Sequence, residues 1–522
     1  MVEEERIVRA AGLVGFLTLL SRVFGLLRDI VVANFFGATM AADAFYVAFR
    51  IPNLLRRLLA EGALSISFIP IFTDYLTHQS KGEAFKVARV TLTLIILILI
   101  LVSVLGIIFS PKIVTVFAPG FSVQPNKFAL TVLLNQVMFP FIFFVGLVAL
   151  AMGILNSLNH FAAPALAPVC LNIAIICSTI LLSRYLTEPI MAVAIGVMLG
   201  GLMQLLLQIP FLLRAGMVFG LDFHFGHPAI RRMGILFGPA VLGVAVYHLD
   251  VFVSTVLASL LEEGSVSYLY YASRFFEFPQ GIFVISVATV VFPALSRYGA
   301  TGDMENFKAG LSLALRLVSF ITIPATIGLV ILRVPLIKLF FQRGAFDAET
   351  TWATAQALLY YSLGLWSVAG ARIMVQAYYS LKDTRTPAFL AFLTFLINLF
   401  LSLILMGPLS YGGLALANSF ASSFNFVSLI WILRRRLGGI RLGELGLSLA
   451  KSSVCSSVMG LGLYIYCRQV LWQSPGSWFQ EGLFLLGAIL LGSSIFFVLA
   501  YLLRTQELKV VMQLWDRGRH KL

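Results

Sequence analysis

Apolar residues run in stretches of about 20 or more along most of the chain, and short polar segments separate them. A stretch of that length is what one helix needs to cross the hydrocarbon layer of a bilayer. The pattern predicts fourteen transmembrane helices, over 8–34, 43–73, 88–110, 128–155, 162–183, 190–213, 234–259, 267–295, 309–331, 351–379, 386–406, 411–433, 446–467 and 482–503. The second, eighth and tenth are longer than a bilayer requires and are expected to tilt, kink or project from it. The expected fold class is therefore an all-α polytopic membrane protein.

The pattern also repeats. Moved by about 223 residues, the chain matches itself at corresponding places in the series of spans. "FIPIFTDY" falls on "VFPALSRY", which pairs Pro70 with Pro293 and Tyr75 with Tyr298. "NSLNHFAAP" falls on "YSLKDTRTP", which pairs Pro164 with Pro387. Six spans separate the copies, so the two halves share an orientation. Parallel repeats related by an axis along the membrane normal are a transporter architecture, with the substrate site expected between the halves. This gives an expected organisation of a six-helix lobe over 1–220, a second over 221–440, and an added helix pair with a tail over 441–522.

Composition agrees with the pattern. The chain has 522 residues, 60% hydrophobic and only 11% charged, against about 25% charged in soluble domains. Its formal net charge of +14 would suggest nucleic acid in a soluble protein. Here it is first a topology signal. Segments expected in the cytoplasm hold about three times as many Lys and Arg as the outside loops, where Lys112, Lys127, Arg184, Arg333, Lys338, Arg343 and Arg468 fall. Both termini are thus expected in the cytoplasm, with no nucleic-acid partner. "MVEEERIVRAAG" leads into the first span without a cleavage-site pattern, so the N-terminus is expected to be retained. Cys170, Cys177, Cys455 and Cys467 lie within apolar runs and read as core filler. No phosphate-binding G-x-x-x-x-G-K-[ST] loop or H-E-x-x-H pair occurs, and "HFGH" (224–227) reads as a solvated loop, so no enzyme is expected.

The charges inside the apolar stretches carry the chemistry. "SRVFGLLRDIVVANFFGATMAADAFYVAFRIPNLLRRLLAEG" holds Arg22, Arg28, Arg50, Arg56 and Arg57 against Asp29, Asp43 and Glu61. Arg22 and Asp29, seven residues apart, share one helix face and could pair, and Ser21 and Arg28 share the neighbouring face. Asp43, Arg50, Arg57 and Glu61 fall on one stripe of the second helix, although Pro52 is expected to interrupt it. At about 2.5–3.5 kcal/mol per charge in mid-bilayer, five arginines facing lipid would cost roughly 12–17 kcal/mol, so they must face protein or a wet cavity. Internal ion pairs leave two positive charges over. That surplus calls for an anion, and the planar fork of arginine suits a phosphate or pyrophosphate. The apolar surroundings point to an amphiphile. In the eighth span Arg274 and Glu277 lie one turn apart and roughly balance.

"SRVFGLLRD", "ADAFYVAFRIPNLLRRLLAEGA", "FAPGF", "YYASRFFEFPQG" and the "TP" opening of the eleventh span resemble the MurJ (MviN) family of lipid II flippases, over essentially the whole chain. That family belongs to the multidrug/oligosaccharidyl-lipid/polysaccharide exporter superfamily. The resemblance implies a bacterial inner-membrane protein, working as a monomer among membrane lipids. It would move lipid II, the undecaprenyl-pyrophosphate glycopeptide, from the inner to the outer leaflet by alternating access. It implies pyrophosphate binding by Arg22, Arg28, Arg56 and Arg274 beside Ser21, with Asp29, Asp43 and Glu277 orienting or gating. Arg50, Arg57 and Glu61 join the gating or orienting group. The resemblance favours Arg56 where straight-helix geometry favours Arg57. Some relatives bind sodium in the second lobe, which makes Asp250, Asn398 and Asn418 a candidate cation site, although Ser402 stands where a second acid would be expected. No cofactor is expected, and coupling to sodium, protons or membrane potential stays open. The alternatives are a flippase for another polyprenyl-pyrophosphate glycan, which could also have a cationic cavity, and a drug/cation antiporter, which would want acids there instead.

Overall fold

The computed structural model describes residues 2–58, 64–470 and 478–510, and every regular element among them is a helix. Contacts divide the chain into two compact units, Met1–Ser267 with Arg343–Phe346, and Tyr268–Gln342 with Asp347–Leu522.

The first unit contains α1 (Val2–Phe36), α2 (Met40–Arg56), α3 (Ser65–His78), α4 (Lys81–Ile108), α5 (Ser110–Phe117), α6 (Pro125–Met138), α7 (Phe141–Ser157), α8 (Ala162–Leu182), α9 (Met191–Arg214) and α10 (Pro228–Ser259). Its core is apolar: Phe68, Phe72, Val87, Leu150 and Leu155 bring α3, α4 and α7 together, and Ala229 and Met233 add α10. The seventh span, α10, which the duplication placed in the second lobe, thus packs within this unit. α8 and α9 approach closely because Gly196 and Gly200 carry no side chain. A Cβ on them would lie 2.7 Å from the Ile175 Cα and 2.9 Å from the Leu171 Cα. Small residues four apart are the usual means of such contact between membrane helices. The sequence also marks where helices begin: the Ser80 hydroxyl accepts from the Glu83 amide at the start of α4.

The second unit contains α11 (Ser265–Pro279), whose first turn belongs to the first unit, then α12 (Ile285–Thr301), α13 (Met304–Phe341), α14 (Ala348–Leu363), α15 (Leu365–Ser380), α16 (Arg385–Leu409), α17 (Tyr411–Arg436), α18 (Leu442–Val470) and α19 (Trp478–Leu502). Leu311, Leu315, Met374, Tyr378, Phe426 and Leu429 join α13, α15 and α17. The last helix pair packs on α13 through Phe320, Leu332, Met459, Leu463 and Phe496.

Among the described residues, nine helices or continuous helical runs are long and apolar enough to cross a membrane. A tenth arises if α14 and α15, bent by 43°, count as one. The fold is that of an all-helical polytopic membrane protein. Three details depart from expectation. Pro52 lies inside a continuous α2 and does not interrupt it; the regular helix ends at Arg56 instead. The eighth span runs helically through Ser265–Thr301, but with π-type backbone over Gln280–Val284 between α11 and α12. The ninth span continues to Phe341, so Arg333 and Lys338, expected in an outside loop, lie on α13.

Candidate functional site

On α1, Arg28 is half-buried and Asp29 is buried. The Arg28 Nε and Nη2 donate to Asp29 Oδ1 at 3.0 and 2.7 Å. The expected pairing of Asp29 with Arg22 is therefore replaced by one with its neighbour in sequence. Asp29 is turned inward while Arg22 is exposed, without a hydrogen bond or ion pair among the described residues. Sharing a helix face does not suffice when one side chain is packed and the other is not. Sequence reasoning missed Asn172 on α8. Its Oδ1 accepts from Arg28 Nη1 at 3.2 Å, and its Nδ2 donates to the carbonyl of Ser21 at 3.3 Å. Asn172 is buried, so one amide ties both α1 residues to α8.

On α2, Asp43 is 1% exposed and orients no arginine by any hydrogen bond found here. One carboxylate oxygen accepts from Lys127 Nζ at 2.8 Å and from the Gly264 amide at 2.8 Å. The other accepts from the Ser267 amide and hydroxyl at 3.0 and 2.7 Å. Asp43 thus caps the start of α11, where free amides favour an anion. Lys127, expected in an outside loop, is buried with its Nζ 4.2 Å from the Phe121 ring centroid. No local pattern marks it, since it lies in sequence far from its partner.

Arg50 donates to Thr255 at 2.7 Å and Arg56 to Asn53 at 2.8 Å. Arg56 is half-buried and Arg57 exposed. Glu61 lies outside the described residues. The acid at Asp43, which one-dimensional counting set against the arginines, is instead engaged by Lys127.

In the second unit, Arg274 lies 3.6 Å from Glu277 and stacks its guanidinium 4.3 Å from the centroid of Tyr270. Asn398 is buried and accepts from Ser402 at 3.4 Å. Asn418 is half-buried on α17, and Asp250 is half-buried on α10 of the first unit. Arg316, another intramembrane base, lies 3.6 Å from Glu444 and 3.7 Å from Glu507 and donates to Gln506 at 2.7 Å. It fastens α13 to the last helix pair.

A sequence profile of the family described as lipid II flippase MurJ matches residues 32–484. The chain belongs to the MurJ family. A Vibrio cholerae protein named a probable lipid II flippase MurJ is 38% identical over 436 residues, covering 81% of this chain and 82% of its own length. A Bdellovibrio bacteriovorus protein of the same name is 32% identical over 510 residues, covering 97% and 96%. A solved MurJ structure in an inward closed conformation superposes with a TM-score of 0.79 at 29% identity and covers 94% of this chain and 98% of that one. An inward-facing multidrug transporter of the MATE family, in the MOP superfamily, superposes with a TM-score of 0.67 at 13% identity, which shows the shared fold alone. The MurJ match spans both units, and the matched residues include the arginines of α2.

Proposed function

We propose that this chain moves lipid II from the inner to the outer leaflet of a bacterial cytoplasmic membrane by alternating access, as a monomer with both termini in the cytoplasm and without catalysis. The observation that carries the reading is the excess of arginine between positions 21 and 58, where five arginines stand against Asp29 and Asp43. Arg22, Arg28, Arg50, Arg56 and Arg57 stand there, Asp29 is engaged by Arg28, and Asp43 is engaged by Lys127. A pyrophosphate supplies the negative charge that this stretch lacks, and bidentate guanidinium contacts suit its oxygens. Arg22, Arg28, Arg56 and Arg274 are assigned to the pyrophosphate, with Ser21 beside them. Asp29 and Glu277 hold Arg28 and Arg274 in place, and Asp43 holds the start of α11. Arg50 and Arg57 add to the positive field.

The driving force we propose is membrane potential, with Asp250, Asn398 and Asn418 in structural roles. The serine at 402, whose hydroxyl donates to Asn398, supports this over a sodium site, because a cation there would want a second carboxylate. The test replaces Arg22, Arg28, Arg56 and Arg274 singly with alanine in cells that depend on this protein. Normal insertion with loss of growth and loss of lipid II at the outer face is the expected result. Full support of growth by all four variants would overturn the assignment. An antiporter would instead show cation-driven efflux of an amphiphilic dye.

A further inference from the structure

Residues 216–227 join α9 to α10 without regular secondary structure. Val218, Phe219, Leu221, Phe223 and Phe225 in this stretch are exposed by 66, 41, 63, 60 and 38%. Its path is fixed at three points. Gly216 lies beside the side chains of Lys81 and Phe85 at the start of α4. The Asp222 amide then donates to the Thr93 hydroxyl at 2.8 Å, and that hydroxyl donates to the Arg89 carbonyl on α4. Finally the His227 ring lies 5.6 Å from that of Tyr75, near the end of α3. From residues 81–85 to residue 93 a helix rises about 12–18 Å. The segment therefore climbs along α4, passes by one turn the last charged residue of that helix, Arg89, and returns.

That height is the edge of the hydrocarbon. Irregular backbone is not tolerated against lipid deeper in a bilayer, but the boundary between headgroups and acyl chains is wet enough to satisfy it. Aromatic side chains favour the same layer. The surrounding charge is positive: Lys81, Arg214, Arg231 and Arg232 are exposed. Arg232 has Asp74 at 3.9 Å, while Arg214 and Arg231 form no ion pair among the described residues. The Asp222 carboxylate is paired with His224 at 2.6 Å.

We propose that residues 218–225 are an interfacial anchor seated in one leaflet, and that anionic phospholipids of that leaflet are its partner, drawn by Lys81, Arg214 and Arg231. Apolar insertion and electrostatic attraction act together here, as in surface-lying amphipathic segments. The proposal is independent of the transported substrate.

The test uses the full chain in vesicles, with Cys170 and Cys177 replaced by alanine and a nitroxide attached after Phe223→Cys or, as a control, His224→Cys. The control position is the polar neighbour, whose ring is paired with the Asp222 carboxylate. The label at 223 is expected to be more accessible to oxygen, and the label at 224 to a water-soluble nickel complex. Spin-labelled phosphatidylglycerol is expected to associate more strongly than phosphatidylcholine, and Arg214→Gln to reduce that preference about fivefold, the factor for one basic side chain at an anionic surface. Equal nickel accessibility at both positions would overturn the anchor and leave a protein partner as the occupant. Equal association of the two lipids, or a preference unmoved by Arg214→Gln and Arg231→Gln, would overturn the anionic assignment.

Discussion

Asp43 and Lys127 are 1% and 3% exposed in their side chains and 2.8 Å apart, a fully buried ion pair. Removing one member of such a pair leaves the other charged and dry, at a cost of about 3–5 kcal/mol. Lys127→Met should therefore lower the melting temperature in detergent sharply, and Asp43→Asn combined with Lys127→Met should recover much of the loss. A double variant no more stable than Lys127→Met would show that the hydrogen bonds to Gly264 and Ser267 matter more than the charge pair. Asn172→Ala addresses the site instead. It removes the amide between Arg28 and the Ser21 carbonyl, and at about 1–3 kcal/mol for a buried polar group left unsatisfied it should weaken lipid II binding by roughly 5- to 150-fold. Unchanged affinity would separate Arg28 from the substrate or from Asn172. The charged residues themselves were legible in the sequence, because a charge within an apolar run has few explanations. Their partners were not. Lys127 is 84 residues from Asp43 and Asn172 is 144 from Arg28, and periodicity reports only the faces of a residue's own helix.

Apolar runs located the helices well, and the breaks inside them poorly. The second and eighth spans each contain π-type backbone, at 57–58 and 64 in one and over Gln280–Val284 in the other. Moved by about 223 residues, positions 57–58 fall on 280–281 within the second stretch, whereas 64 falls on 287, beyond it. Composition does not reveal such π-type turns. Between elements, Gly37 has a φ of +56°, and a Cβ there would lie 2.2 Å from the Ala345 carbonyl oxygen. Gly302 has a φ of +73° at the end of α12 with open space around it. Gly37→Ala should thus be far more destabilising than Gly302→Ala, which should cost about 1 kcal/mol; equal thermal shifts would contradict the close approach. The loop joining α15 to α16 predicts a pH effect. Burial pushes the Asp383 carboxyl up, but hydrogen bonds from Thr386 and Arg436 prevail and hold it below its ordinary value. A depressed carboxyl contributes stability above its unfolded value of about 3.9 and loses it as pH falls through the folded one. The melting-temperature gap between the native chain and Asp383→Asn should be full at neutral pH and close below about pH 4.

At the scale of the molecule, the excess of arginine bears on what resets the transporter. On the function proposed above, bound pyrophosphate would largely neutralise the arginines between positions 22 and 57, which are positive without it. An inside-negative potential would then do little to the loaded protein and would draw the empty, cationic one back toward the cytoplasm, at about 2.3 kcal/mol per charge for 100 mV. Return of the empty protein would be the step that potential accelerates. Collapsing the potential with valinomycin and potassium, at constant pH gradient and sodium, should slow repeated turnover of lipid II while leaving a single outward movement of pre-bound lipid II nearly unchanged. Replacing Arg57, which is exposed, with glutamine removes one positive charge without touching the residues assigned to the pyrophosphate. Turnover in that variant should depend less steeply on potential than in the native chain. If the steepness is unaltered, the charge that feels the field lies elsewhere, and sodium or proton coupling through Asp250 becomes the better account.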